Sequence, residues 1–91
     1  MLHVVAYDIC NARRMKKVAA LCLDYGVRVQ YSIFEFDLDE RLTKRFLSEL
    51  AALIDPKEDR AMVIPVCENC RKSICCLGKM APFRQEELFL I

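Results

Sequence analysis

The chain has 91 residues, 14 Lys and Arg against 13 Asp and Glu, and a formal net charge of +1. That length makes one domain, and a chain so short hides only about 60% of its unfolded surface, so burial against a second copy would help it. With 55% hydrophobic and 30% charged residues it is globular in type, and its near-neutral charge excludes a uniformly basic nucleic-acid binder, leaving only local clusters of cations to hold phosphate.

Leu2 to Ala6 is an uninterrupted apolar run carrying Val4 and Val5, which predicts a buried strand that ends in the turn Asp8-Ile9-Cys10-Asn11. The start lacks the basic residues and long apolar run of a secretion leader, and it meets an acid at position eight. No stretch approaches the roughly 20 apolar residues of a membrane span. Six cysteines without a leader are expected to be reduced thiols, so a cytoplasmic location without a membrane is expected.

Asn11 is a plausible N-cap, after which Met15, Val18, Cys22 and Tyr25 recur at helical spacing with Leu21 beside them, and Gly26 closes a helix of about 13 residues. From Val27 to Phe36 the sequence alternates with period two. This predicts one long strand with Val27, Val29, Tyr31 and Ile33 on one face and Arg28, Gln30 and Ser32 on the other. Asp37-Leu38-Asp39-Glu40 reads as the start of a second helix, with Glu40 in the N3 place of a capping-box-like arrangement and Leu42, Phe46, Leu50 and Leu53 as its buried stripe. Asp55-Pro56 ends it.

Ala61 to Val66 is again β-like, and Pro65 confines it to a sheet edge or a strand terminus. Cys67 to Cys76 is short, polar and helical in character, and Gly78 to Pro82 is a break. Leu88-Phe89-Leu90-Ile91 is an apolar tail with no partner evident from element order, which invites pairing with a second chain. The order of elements is that of an α+β, ferredoxin-like βαββαβ domain, if the Val27 to Phe36 segment bends or continues into a short neighbouring strand. One domain spanning 1–91 is expected, with 79–91 as a C-terminal extension.

Asp8 is the first chemical candidate. Magnesium takes one or two carboxylates and keeps several waters, so one Asp per chain becomes a pair only across a two-fold axis. A metal held there would polarise a phosphate oxygen and acidify its bound water. The alternative is that Asp8 caps its turn. Arg13, Arg14, Lys16 and Lys17 crowd the first turns of the first helix, where the macrodipole disfavours cations; this suggests an external anion such as phosphate, against the alternative of a solvated face. Arg28 extends that surface, and Tyr7 and Phe34 pack near it or in the core. Cys67-x-x-Cys70 with Cys75 and Cys76 offers either a zinc site or unligated thiols. A thioredoxin-type role is disfavoured because the motif comes late in the chain.

Val5-Ala6-Tyr7-Asp8-Ile9, then Tyr25-Gly26-Val27-Arg28-Val29-Gln30-Tyr31-Ser32-Ile33-Phe34-Glu35, then Asp37-Leu38-Asp39-Glu40 and the late Ile64-Pro65-Val66-Cys67-Glu68-Asn69-Cys70 resemble one family. It is the small CRISPR-associated endonuclease family, the second of the two core proteins of spacer acquisition. The resemblance implies a ferredoxin-like homodimer with C-terminal strands exchanged across its interface and a catalytic, metal-binding aspartate, which falls on Asp8, with Mg2+ or Mn2+ as cofactor. It further implies a place beside the acquisition integrase, holding protospacer DNA. By position Tyr7, Arg14, Lys17, Arg28 and Phe34 match functional residues of relatives. Two functions are consistent with this: an endonuclease cleaving RNA or DNA, and a non-catalytic dimeric adaptor that holds the duplex for the integrase.

Overall fold

The computed structural model describes residues 1–78 and the backbone of residues 89–90. The opening apolar run forms β1 (Leu2–Asp8). The Asn11 side chain then caps α1 (Ala12–Tyr25) by accepting from the Arg14 backbone N–H. β2 (Val27–Gln30), β3 (Ile33–Asp37), α2 (Glu40–Leu53), β4 (Arg60–Val66), α3 (Glu68–Lys72), β5 (Cys75–Cys76) and β6 (Phe89–Leu90) follow. The first four strands form a sheet in the order β2-β3-β1-β4, antiparallel throughout, which is the ferredoxin-like arrangement.

β1 lies inside this sheet, and its pleat sorts the chemistry. His3, Val5 and Tyr7 face α1 and α2, while Leu2, Val4, Ala6 and Asp8 face the other way. On the helix side Val5, Phe34, Phe36, Val18, Cys22 and Phe46 are fully buried. Phe46 of α2 meets Phe36 at 4.8 Å between ring centroids and Tyr25 of α1 at 5.2 Å, so the aromatic residues lock both helices onto β3.

The expected long strand is a hairpin. Tyr31 and Ser32 form its turn, Gln30 pairs with Ile33, and a bulge interrupts the register between Arg28 and Gln30. The expected apolar face is overturned with it: Val27 is 50% and Tyr31 86% exposed, because the bulkier Phe34 and Phe36 take the helix side of β3 and leave Val27 and Ile33 on the opposite face. The cap of α2 is Asp39, whose Oδ1 accepts from the Leu42 N–H at 2.8 Å, so Glu40 is the first helical residue and not the third. Asp37 is instead drawn to the Met1 ammonium and to Arg71, each at 3.2 Å.

Pro65 sits on the edge strand β4, as a proline must. The tail has a partner that element order left unassigned, since Phe89–Leu90 pairs in parallel with Cys75–Cys76 of the same chain. Most of the expected extension, 79–88 and 91, lies outside the described residues, including the break after Gly78.

Gly26 follows α1 with extended backbone, φ −153° and ψ −156°, so its role is space rather than a left-handed turn. A Cβ there would fall on the Glu35 carbonyl oxygen and within 2.9 Å of the Phe36 Cβ. Gly26→Ala is therefore expected to cost about 1–3 kcal/mol by overpacking, read as a lower urea midpoint at unchanged slope; an unshifted midpoint would contradict the close approach.

Candidate metal and nucleic-acid site

Asp8 ends β1 on the sheet face opposite α1 and α2. It is exposed, with no hydrogen bond or ion pair to any described residue. Together with Ala6, Tyr7, Arg60, Ala61 and Met62 it lines an open depression of about 380 Å³. The turn that follows is capped by another acid: the Cys10 N–H donates to Asp59 Oδ1 at 3.0 Å, and the Cys10 thiol donates to the Glu58 carbonyl. Turn capping therefore does not account for Asp8.

A metal at Asp8 finds one carboxylate per chain, and among the described residues no group of three or more His, Cys, Asp or Glu is arranged to hold an ion. One protomer alone does not fit magnesium. Two protomers would bring two carboxylates, a number that this ion accepts with water completing its shell. Arg60, in register opposite Asp8 on β4, is the neighbour that sequence reasoning missed. It lies 52 positions away, and only the β1–β4 register reveals it.

The expected basic cluster divides. Arg14 turns inward: its Nε donates to Asp59 Oδ2 at 2.7 Å and its Nη2 to Glu58 Oε2 at 2.9 Å. Arg14 thereby holds α1 against the loop before β4. Arg13, Lys16 and Lys17 remain exposed on α1, three and four residues apart and so on one side of the helix. Lys16 and Arg28 are brought together across a small depression of about 140 Å³ that Tyr7, Met15 and Tyr31 also line.

Beneath it the Arg28 guanidinium lies 5.0 Å from the Phe34 ring centroid, and Phe34 stacks on Tyr7 at 6.1 Å. Burial, aided by the Cys22 thiol and opposed by Arg28, pushes the Tyr7 phenol above its ordinary value, so it keeps its proton at neutral pH. Tyr7 and Phe34 are core residues that support Arg28 from below.

The four late cysteines do not form a zinc site among the described residues. Cys67 caps α3, Cys70 lies in its first turn, Cys75 is exposed and Cys76 is buried.

Residues 1–74 match the family described as CRISPR associated protein Cas2. The chain is 46% identical over 69 residues to a CRISPR-associated endoribonuclease Cas2 of Rhodospirillum rubrum, a match covering 75% of this chain and only 55% of that one. It is 35% identical over 83 residues to a counterpart in Chloroflexus aurantiacus, covering 90% and 89% of the two chains. The crystal structure of Streptococcus pyogenes Cas2 superposes with a TM-score of 0.76 at 31% identity, over 86% of this chain and all of that one.

The inward turn of Arg14 has a measurable consequence. Its guanidinium, helped by the Asp55 and Cys10 N–H groups, outweighs burial and brings the Asp59 carboxyl down to about 2 from its ordinary 3.8. A carboxyl depressed in the folded state stabilises the fold above its unfolded value and loses that contribution as pH falls from near 4 toward 2. Arg14→Ala and Asp59→Asn should each lower the thermal midpoint by several degrees at pH 7, with a double-variant loss well short of the sum. Asp59→Asn should also flatten the stability profile below pH 4, as followed by circular dichroism; additive losses would dissolve the pair.

Proposed function

The chain belongs to the Cas2 family of CRISPR-associated proteins, and on that premise we propose that it is a metal-dependent endonuclease of CRISPR spacer acquisition, working as a symmetric homodimer. The observation that carries this reading is Asp8, an exposed carboxylate that no described side chain neutralises. It sits on the same sheet face as Met62 and Ile64, which are 58% and 41% exposed. A second copy packed on that face would cover the apolar residues and bring two Asp8 carboxylates toward one axis. The exchange of C-terminal strands belongs to the same proposal and would release Phe89–Leu90 from Cys75–Cys76 of its own chain.

In that dimer the two Asp8 carboxylates would hold Mg2+ or Mn2+, which would supply Lewis acidity at the scissile phosphate. Arg13, Lys16 and Lys17 neutralise backbone phosphates on either side, and Arg28, fixed over Phe34, adds a cation whose position is set by packing. Tyr7, buried beneath Arg28 and kept neutral, adds no negative charge to that surface. The substrate is nucleic acid, protospacer DNA or RNA, the protein partner is the acquisition integrase, and the compartment is the cytoplasm.

Arg60 favours a second reading, the non-catalytic adaptor that holds the duplex. A cation in register with Asp8 opposes a divalent ion and attracts phosphate directly.

Three expected outcomes test these readings. Asp8→Asn should abolish metal-stimulated cleavage while leaving duplex affinity measured without divalent ion within about twofold, since Asp8 supplies no cation to the phosphates. Cleavage that persists at the wild-type rate leaves the adaptor. Lys16→Ala with Lys17→Ala should weaken duplex binding and reduce the slope of log affinity against log salt by about one per lysine, measured by fluorescence anisotropy. Met62→Asp with Ile64→Asp should convert the dimer to a folded monomer in sedimentation velocity and abolish cleavage with it.

A further inference from the structure

Cys67 and Cys70 are used by none of this chemistry. β4 pairs with β1 from Asp8↔Arg60 at one end to Leu2↔Val66 at the other, so Cys67, next after Val66, lies about 20 Å of strand from Asp8. Cys67 caps α3 directly after β4, the strand-to-helix setting that its late place in the chain had argued against. Its sulfur accepts from the Cys70 backbone N–H at 3.5 Å, and both residues are exposed. Two exposed thiols in a Cys-x-x-Cys turn, the first accepting from the backbone N–H of the second, have the arrangement of an exchange pair.

We propose that Cys67 and Cys70 form a thiol–disulfide exchange site for low-molecular-weight disulfides, separate from the nucleic-acid surface. The Cys70 backbone N–H holds the Cys67 thiol below its ordinary value, which makes Cys67 the attacking group, and the neighbouring Cys67 sulfur pushes Cys70 up, which makes it the resolving one. By contrast, burial pushes Cys22 up to about 11 and removes it from such chemistry.

The Cys67 thiolate attacks one sulfur of R–S–S–R, forming Cys67–S–S–R and releasing R–S⁻, which takes up the proton that Cys67 gave to solvent. Cys70, on losing its proton, attacks the Cys67 sulfur and displaces the second R–S⁻, which is protonated in turn. Two cysteine thiols are thereby oxidised to one disulfide, and one R–S–S–R is reduced to two R–SH.

The test uses the full chain in buffers of oxidised and reduced glutathione, quenched with acid, alkylated and cut with trypsin. Cleavage after Arg60 and Arg71 puts Cys67 and Cys70 on one peptide, 61–71, apart from Cys75 and Cys76. That peptide is expected to lose two hydrogens as the oxidised fraction rises and to regain them in reduced glutathione. Cys70→Ser should accumulate the Cys67–glutathione mixed disulfide, whereas Cys67→Ser should leave Cys70 unmodified over the same interval. In the untreated protein Cys67 should alkylate about tenfold faster than Cys75 at pH 7. Circular dichroism establishes that each variant is folded. A 61–71 peptide that keeps both thiols free while Cys75 oxidises overturns the proposal, as does a disulfide joining Cys67 to Cys75, Cys76 or a second chain.

Discussion

A buried carboxylate has to be neutralised and filled with hydrogen bonds, and the way Asp59 meets that requirement sets the geometry around it. Its side chain has no solvent exposure. It accepts from the Cys10 and Asp55 backbone N–H groups and twice from Arg14, which occupies roughly all four lone-pair positions of a carboxylate. Three separate stretches of chain, the turn after β1, the start of α1 and the loop before β4, are thus fastened to one group. Because Asp59 caps the turn, Asp8 is released from that duty and stands free at the strand end.

The same anchoring explains which parts of the site were legible in the sequence. Asn11, the helical spacing from Val18 to Tyr25 and the edge position implied by Pro65 are local signals, and the structure repeats them. Asp8 was visible as an acid after an apolar run. The inward pairing of Arg14 is not legible because its partner lies 45 positions away and nothing within α1 reveals it. Arg60 was missed for the same reason. The hairpin was hidden because Tyr31-Ser32 carries none of the Gly or Asn chemistry that marks a two-residue turn, so unbroken alternation read as a single strand.

The two faces of the sheet divide the work. On the helix side, aromatic packing is dense enough to fix Arg28 through Phe34 and Tyr7, so a surface cation is positioned by the core itself. On the opposite face, which also carries Asp8, Met62, Ile64 and Val27 are left open. A domain of this size has little core to spare, and large aliphatic side chains exposed along one face call for a covering surface. In the proposed dimer one covering surface would meet both the carboxylate and the apolar residues, so the endonuclease reading and the dimer stand or fall together.

Arg60 gives that reading its sharpest physical constraint. Facing Asp8 across the β1–β4 ladder, it opposes a divalent cation when the site is empty of nucleic acid. A bound phosphate would engage this guanidinium and reverse the balance, so metal and nucleic acid would each raise affinity for the other, a coupling that linkage makes reciprocal. Such a site would hold its ion weakly when alone and firmly on its substrate, which suits a nuclease that has to remain inactive until a strand is in place. The adaptor reading draws on the same Arg60 but predicts no such coupling, because phosphate binding alone requires no metal.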